Sequence, residues 1–448
     1  MAEETEPLLQ SRAAAAEEDE EQTNRSSSAV AIRTKAARVV SLDVFRGLCV
    51  FLMMLVDYAG SIFPIIAHAP WNGVHLADFV MPFFLFVAGV SVAIVYKKVS
   101  DRVEATWKAL LRALKLFLLG VFLQGGYFHG VTSLTYGVDV GKIRFLGILQ
   151  RIAIGYAVAA LCEIWLPCQR WRGDRFPRNY TWQWCIMLLL SVIYLGCLYG
   201  FFVPDWQFYA VQSDSSLMIP NISYVYTLFL NYDHEIDFVT PQVKCSVSGD
   251  LGPACNSAGM IDRYILGDAH LYAKPVYRNL KECNISSHGQ VPQTTPSWCR
   301  APFDPEGILS SLTAAVSCII GLQYGHTLIQ IEHHKERLWN WSLFSVSLMA
   351  LGLLLAFLGI PLNKSLYTIS YLMVTSASAG ITFCILYTLA DVYNWRRSTY
   401  VLEWMGKHSL SIFILVTSNI VVITVQGFYL KAPENNIVRW IITRFVHK

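Results

Sequence analysis

Charged side chains are scarce in this sequence. Aspartate, glutamate, lysine and arginine make up 15% of its 448 residues, where a soluble globular chain carries about 25%. With 54% hydrophobic residues, that shortage points away from a water-soluble domain. A strong excess of one charge is missing too: a net charge of +3 gives no reason to expect a nucleic-acid partner. The N-terminus has no basic stub ahead of an apolar core, so no cleavable signal peptide is expected, and the first spanning helix must act as the insertion signal. Residues 1–40, with an acidic run (Glu17 to Glu21), an alanine run and Ser26 to Ser28, lack the apolar content to fold and read as a disordered tail.

What the chain does have is a series of apolar runs of about 20 residues, each long enough to cross a hydrocarbon core. The expected fold is an all-α polytopic membrane protein of 9–10 spans, with helices over 44–63, 74–96, 108–127, 145–166, 183–203, 306–330, 341–359, 367–390 and 407–428. The piece from Asn436 to Lys448 reads either as an interfacial helix or as an incomplete tenth span.

Basic residues set the expected orientation. Loops after even-numbered helices hold Lys97, Lys98, Arg102 and Lys108, then Arg170, Arg172, Arg175 and Arg178, then Lys335 and Arg337, then Arg396, Arg397 and Lys407. Short loops on the opposite side hold Lys142 and Arg144, or Lys364 alone. The positive-inside rule then puts the N-terminus in the cytosol and residues 204–305 in a lumen or outside the cell. That segment contains Cys245, Cys255, Cys283 and Cys299. An even number of cysteines on an oxidising side predicts two disulfides, with three pairings left open. Asn221 and Asn284 each begin an Asn-X-Ser glycosylation sequon in the same segment.

Ionisable groups at membrane depth are costly and therefore informative. Asp57 lies far along the first apolar run, and His68 follows eleven residues later in a short turn. Asp78 lies just inside the second helix, Gln150 and Arg151 near the start of the fourth, and Asp43 with Arg46 at the cytosolic start of the first. Asp43 and Arg46, three apart on one face, fit an interfacial ion pair as well as a ligand contact. Asp78 and Arg151 fit an interhelical contact as well as a ligand contact. Asp57 and His68 suit acyl transfer: an imidazole can take a proton from an attacking amine or hydroxyl, or attack a thioester itself, while a carboxylate orients the ring. A transporter or channel with Asp57, Asp78 and Arg151 along its pathway is the alternative. No inverted repeat or pair of broken helices supports it. A third reading is a catalytically inactive scaffold.

The motifs SLDVFRG (41–47), VDY (56–58), HAPWNG (68–73), ADFVMPF (77–83), GILQR (147–151), GMIDRYILGDAHLY (259–272), FDPEGIL (303–309) and GKHSL (406–410) occur in this order. Together they resemble the heparan-α-glucosaminide N-acetyltransferase family of transmembrane enzymes over roughly residues 38–448. The resemblance implies acetyl-CoA as acyl donor, no metal, a lumenal amino-sugar or similar amine or hydroxyl as acceptor, and a homodimer in a lysosomal membrane. It implies that His68 is the active-site histidine, with Asp57 standing where the family has an asparagine. It further implies cofactor contacts from Asp43, Arg46, Asn72, Asp78, Gln150 and Arg151, and acceptor contacts from Asp262, Asp268, His270 and Glu306. Two departures bear on the acceptor: a folded lumenal domain ahead of the first span is not expected here, and the last span is short. Glu4-Thr5-Glu6-Pro7-Leu8-Leu9 fits an acidic dileucine signal for lysosomal or vacuolar delivery.

Overall fold

The computed structural model describes residues 39–60, 62–63, 65–97, 99, 101–124, 144–166, 180–208, 210–211, 238–239, 242–272, 275–283 and 295–417. The tail expected over 1–40, apart from its last two residues, lies outside this set. So do the dileucine pattern, Asn221, Asn284 and the stretch 436–448.

Eleven α-helices account for most of the described chain: α1 Val40–Ala59, α2 Leu76–Val95, α3 Arg102–Gln124, α4 Ile148–Trp165, α5 Thr181–Gly200, α6 Ser257–Leu266, α7 Ile308–Gln330, α8 His334–Phe357, α9 Ile369–Tyr387, α10 Arg396–Lys407 and α11 Ser409–Thr417. A π-helical turn, Thr388–Val392, extends α9. Six of these segments are long and apolar enough to cross a membrane: α2, α4, α5, α7, α8 and α9 with its π turn. The protein is thus an all-α multi-pass membrane protein. The helices expected at 44–63 and 108–127 begin earlier, at Val40 and Arg102, and their first turns bring in charged residues such as Asp43 and Glu104. The span expected over 407–428 is described only to Thr417, and the helix is interrupted between α10 and α11 at His408.

The interior is built around α7, which is buried along nearly its whole length and packs on α2, α4, α5 and α9. Small residues permit the closest of these crossings. A Cβ at Gly321 would stand 2.1 Å from the carbonyl oxygen of Phe86, so only glycine lets α7 approach α2 this nearly.

The long segment between α5 and α7 folds on itself over one end of the bundle. Two small antiparallel pairs, β1 (Trp206–Gln207) with β4 (Gln242–Val243) and β2 (Ala210–Val211) with β3 (Phe238–Val239), lie near its start. Trp71, Tyr277, Phe303 and Ala258 join Tyr194 and Leu198 of α5 in one apolar cluster that seats the segment on the helices. Of the three cysteine pairings left open, the structure forms Cys245–Cys255 and Cys283–Cys299. Non-reducing peptide mapping is expected to recover these two bridges and no cross-pairing. Replacing both Cys283 and Cys299 by serine should cost about 3 kcal/mol, the loop-closure value for a ring of this size, read as a lowered melting temperature. Free thiols at all four positions would sink the assignment.

Candidate active site

Three loops converge at the end of the bundle covered by the 201–307 segment. The first, residues 60–75, joins α1 to α2 and carries His68. It is fixed at several points. The indole of Trp71 donates to the carbonyl of Leu251 (2.9 Å) and lies edge-on to Phe303 and Tyr277. Gly73, at φ 100°, turns the chain so that its N–H donates to the carbonyl of Leu362 (2.8 Å). The side chain of Asn363 donates to Asn72 Oδ1 (3.2 Å). His68 is therefore presented by a short loop clamped between two neighbouring segments.

The imidazole of His68 does not pair with Asp57. Its Nδ1 lies 2.8 Å from Asp78 Oδ1 and 2.9 Å from Lys364 Nζ, and its Nε2 lies 3.3 Å from the same Nζ. Asp78 is fully buried in the first turn of α2. Its other carboxylate oxygen accepts the backbone N–H groups of Ala69 (3.1 Å) and His75 (2.9 Å). Those donors, with the adjacent helix N-terminus, compensate a charge in an otherwise dry place. A carboxylate only accepts and an ammonium only donates. With His68 protonated at Nδ1 toward Asp78, the ammonium can donate only to the Nε2 lone pair, so Lys364 must turn from the ring toward a bound substrate before Nε2 can act.

His68 forms part of the wall of a cavity of about 210 Å³. Its polar lining is Asp57, His68, Glu306, Lys364 and Ser409, set among apolar side chains from α1, α2, α3, α4 and α11. Asp57 corrects the expectation of a deeply buried carboxylate, since it stands exposed near the last turn of α1 while lining this cavity.

Behind the cavity lies a buried network of charges. Arg144, just before α4, donates through Nε to Asp304 Oδ2 (2.8 Å) and through Nη2 to Asp304 Oδ1 and Glu306 Oε2 (2.5 Å each), while its guanidinium covers the ring of Tyr272 at 4.7 Å. Burial pushes the Glu306 carboxyl up, but Arg144, Arg151 and Lys364 outweigh it and hold it down at about 2. Glu306 is therefore an ionised acceptor on the cavity wall. Arg151 does not reach the cavity. Its guanidinium donates to the Pro305 carbonyl and Ser310 Oγ and lies 5.2 Å from the Tyr367 ring, which ties α4 to the start of α7. Gln150 is buried beside it.

The remaining residues singled out in the sequence are dispersed. Asp43 and Arg46 pair with each other (3.2 Å) at the opposite end of α1, and Arg46 also donates to Ser91 Oγ (2.5 Å). Eleven residues of helix place Arg46 roughly 16 Å from Asp57. Asn72 serves the clamp on the His68 loop. Asp268 begins a short 3-10 turn, and the His270 ring at its end lies 4.4 Å from that of Phe145. Lys364, Arg144 and Asp304 do not stand out in the sequence as site residues. Lys364 does carry a signal, as the lone cation of a short loop on the side where cations are few.

Asp262 sits at a helix end. Its buried Oδ1 accepts the backbone N–H of Ile308 (2.8 Å) and so caps α7. Burial raises its carboxyl to about 7, assisted by Asp304 and opposed by the Ile308 N–H and by Arg151 and Arg263. The folded protein thus holds this proton more tightly than the unfolded chain does. Its contribution to stability is complete at acid pH and is lost as pH rises through about 7, over a window from about 4 to 7. At about 1.4 kcal/mol for each tenfold change in proton affinity, the contribution is at most about 4 kcal/mol. The melting temperature of the wild type should fall across that window, and that of Asp262→Asn should fall less. Parallel curves would show that Asp262 does not hold the proton.

Comparison with known proteins comes to the same region of the chain. Residues 38–173, which include α1 to α4 and the His68 loop, match the family model described as heparan-alpha-glucosaminide N-acetyltransferase, catalytic. The chain is 28% identical over 409 residues to the heparan-alpha-glucosaminide N-acetyltransferase of Mus musculus, covering 85% of this chain and 54% of that protein. It is 27% identical over 404 residues to the Homo sapiens protein of the same name, covering 84% and 52%. The chain spans about half the length of these curated relatives. By these matches, and with the clamped His68 loop inside the matching region, the chain is similar to the heparan-alpha-glucosaminide N-acetyltransferases.

Proposed function

We propose that this protein is a transmembrane acetyltransferase that passes an acetyl group from cytosolic acetyl-CoA to a lumenal amine or hydroxyl acceptor of the amino-sugar type. The observation that carries this reading is the His68–Asp78 pair at 2.8 Å on the wall of a mostly apolar cavity. With Nδ1–H held by the carboxylate, Nε2 becomes the basic and nucleophilic atom once Lys364, 3.3 Å away, turns to the substrate. In direct transfer, Nε2 takes the proton of the acceptor as the acceptor nitrogen or oxygen adds to the thioester carbon. The C–S bond then breaks and the thiolate recovers the proton. In the two-step route Nε2 adds to the thioester carbon and the C–S bond breaks to release CoA thiolate. The acceptor then adds to the same carbon, the C–N bond to the imidazole breaks, and Nε2 takes the acceptor's proton and passes it on to the thiolate or solvent. The apolar lining suits both, because excluding water protects an activated acetyl group from hydrolysis.

The wider setting is part of the same proposal. The basic bias of alternate loops supports a cytosolic N-terminus and a lumenal 201–307 segment, whose two disulfides fit an oxidising compartment. The dileucine pattern supports a lysosomal or vacuolar membrane, where the raised Asp262 carboxyl would keep its proton. The family resemblance supports a homodimer, with cofactor contacts from Asp43 and Arg46 at the cytosolic end of α1. The test uses sealed vesicles of known orientation given acetyl-CoA labelled in the acetyl group. Label on a glucosamine acceptor held inside, with CoA remaining outside, is expected. Entry of intact labelled CoA would make the protein a transporter and end the proposal.

A further inference from the structure

Acetyl transfer from a thioester passes through a tetrahedral intermediate whose oxygen carries a full negative charge. A site that accelerates the step needs a donor aimed where that charge develops. The polar groups of the cavity wall can be taken in turn. Glu306, held ionised by Arg144, only accepts. Asp57 is an exposed carboxylate and, when ionised, also only accepts. His68 donates to Asp78 at one nitrogen, and its other nitrogen is the base or nucleophile of the proposed reaction. Ser409 offers one neutral hydroxyl. Lys364 remains, the cation among the described residues of this wall.

Its position fits the task. Nζ lies 3.3 Å from Nε2 of His68, and a carbonyl oxygen on a carbon attacked at or beside Nε2 is only two bonds from that nitrogen. The ammonium is held in place by Asp78 Oδ1 at 3.7 Å, and its side chain is 17% exposed. The loop beneath it is equally fixed. Asn363 accepts the N–H of Leu366 (2.9 Å), Tyr367 donates its N–H to the Lys364 carbonyl (3.1 Å), and Tyr367 takes a positive φ of 55° to close the turn. A donor pre-set in this way needs no reorganisation when the charge appears. Burial, with Arg151, holds the Lys364 ammonium below the usual lysine range, while Asp78 and Glu306 work to keep it charged.

We propose that Lys364 is the oxyanion-binding group of this site, its Nζ receiving the acetyl carbonyl oxygen as the tetrahedral intermediate forms. As the nucleophile adds to the carbonyl carbon, the C=O π pair moves to oxygen and is held there by an N–H of the ammonium. When the pair returns, the C–S bond breaks and the thiolate leaves, in direct transfer taking the proton that His68 received from the acceptor. Lys364 keeps its own proton throughout. The inference rests on the acetyltransferase reading above.

The test compares Lys364→Met, Lys364→Arg and the wild-type full chain in detergent or vesicles. Two probes are used: CoA itself, and a CoA thioether bearing a trifluoromethyl ketone, which becomes a tetrahedral alkoxide on addition of a nucleophile. Lys364→Met is expected to lose about 10²–10³-fold in kcat, with CoA affinity retained as the sign of a folded site. Its affinity for the trifluoroketone should fall by a similar factor, because only that probe carries the oxyanion. Lys364→Arg should recover part of both losses. The proposal is overturned if Lys364→Met keeps kcat within about threefold. It is also overturned if kcat falls while trifluoroketone affinity does not, which would make Lys364 a positioning residue for His68. Wild-type protein that transfers no acetyl group would bring down the parent reading and this one with it.

Discussion

Replacing His68 with alanine should abolish acetyl transfer, with a loss of about 10²–10⁴-fold if the ring acts as a base and a complete loss if it carries the acetyl group. The variant should otherwise be sound. The His68 side chain is part-exposed on a cavity wall, and its loop is anchored independently by Trp71, Asn72 and Gly73. Removing the ring leaves a larger cavity and takes one partner from Asp78, which keeps the Ala69 and His75 N–H groups and Lys364 at 3.7 Å. Expression and CoA binding are therefore expected to persist while turnover disappears. Imidazole added to the assay should restore part of the rate, since the alanine leaves room for a free base beside Asp78. Wild-type turnover in the purified variant would remove His68 from the mechanism.

The second large effect separates two carboxylates that the sequence alone leaves in competition. Asp78→Asn should lower kcat by about 10⁴-fold, because an amide presents N–H as readily as C=O to His68 and favours the tautomer with its proton on Nε2. The same change weakens the acceptance of the Ala69 and His75 N–H groups. Some loss of thermal stability is therefore expected, and CoA binding serves as the control for a folded site. Asp57→Asn is expected to stay within about tenfold of wild type, since the ring is held by Asp78. The pH dependence of kcat/KM adds a readout that a purely structural loss would not move. Asp78→Asn should shift the limb that reports the free enzyme's base, and Asp57→Asn should leave it nearly in place. A collapse of Asp57→Asn to the level of Asp78→Asn would overturn this division of roles.

Membrane character was legible because it depends on local composition. A run of about 20 apolar residues has few ways to satisfy its backbone in lipid other than a helix, whatever its neighbours do. The core of α2, α4, α5, α7, α8 and α9 follows from that constraint alone. So does the prediction of two bridges in the extramembrane segment, because an even set of four cysteines is a count. Helix ends were less legible. The first turns of α1 and α3 are set by charged and polar residues that a search for apolar runs passes over.

His68 and Asp57 stand out in the sequence for reasons of residue type and motif, but their pairing was inferred from nearness along the chain. Eleven residues that include the end of a helix and a reversing turn fix no distance between two side chains. The ring of His68 instead turns to Asp78, ten residues on, because α2 begins beneath the loop and presents its buried first turn there. Lys364 reaches the same ring across 296 positions, and Arg144 meets Asp304 across 160. Spacing in a sequence constrains only contacts within one element, whereas these are made between elements whose relative placement comes from packing. The sequence by itself determined that this protein is a helical membrane protein with a histidine in a short turn and four cysteines in one long segment. The tertiary structure alone decided which carboxylate holds that histidine and which cation faces it, because these depend on elements meeting across the bundle, and which cysteines join, because that depends on how the 201–307 segment folds on itself.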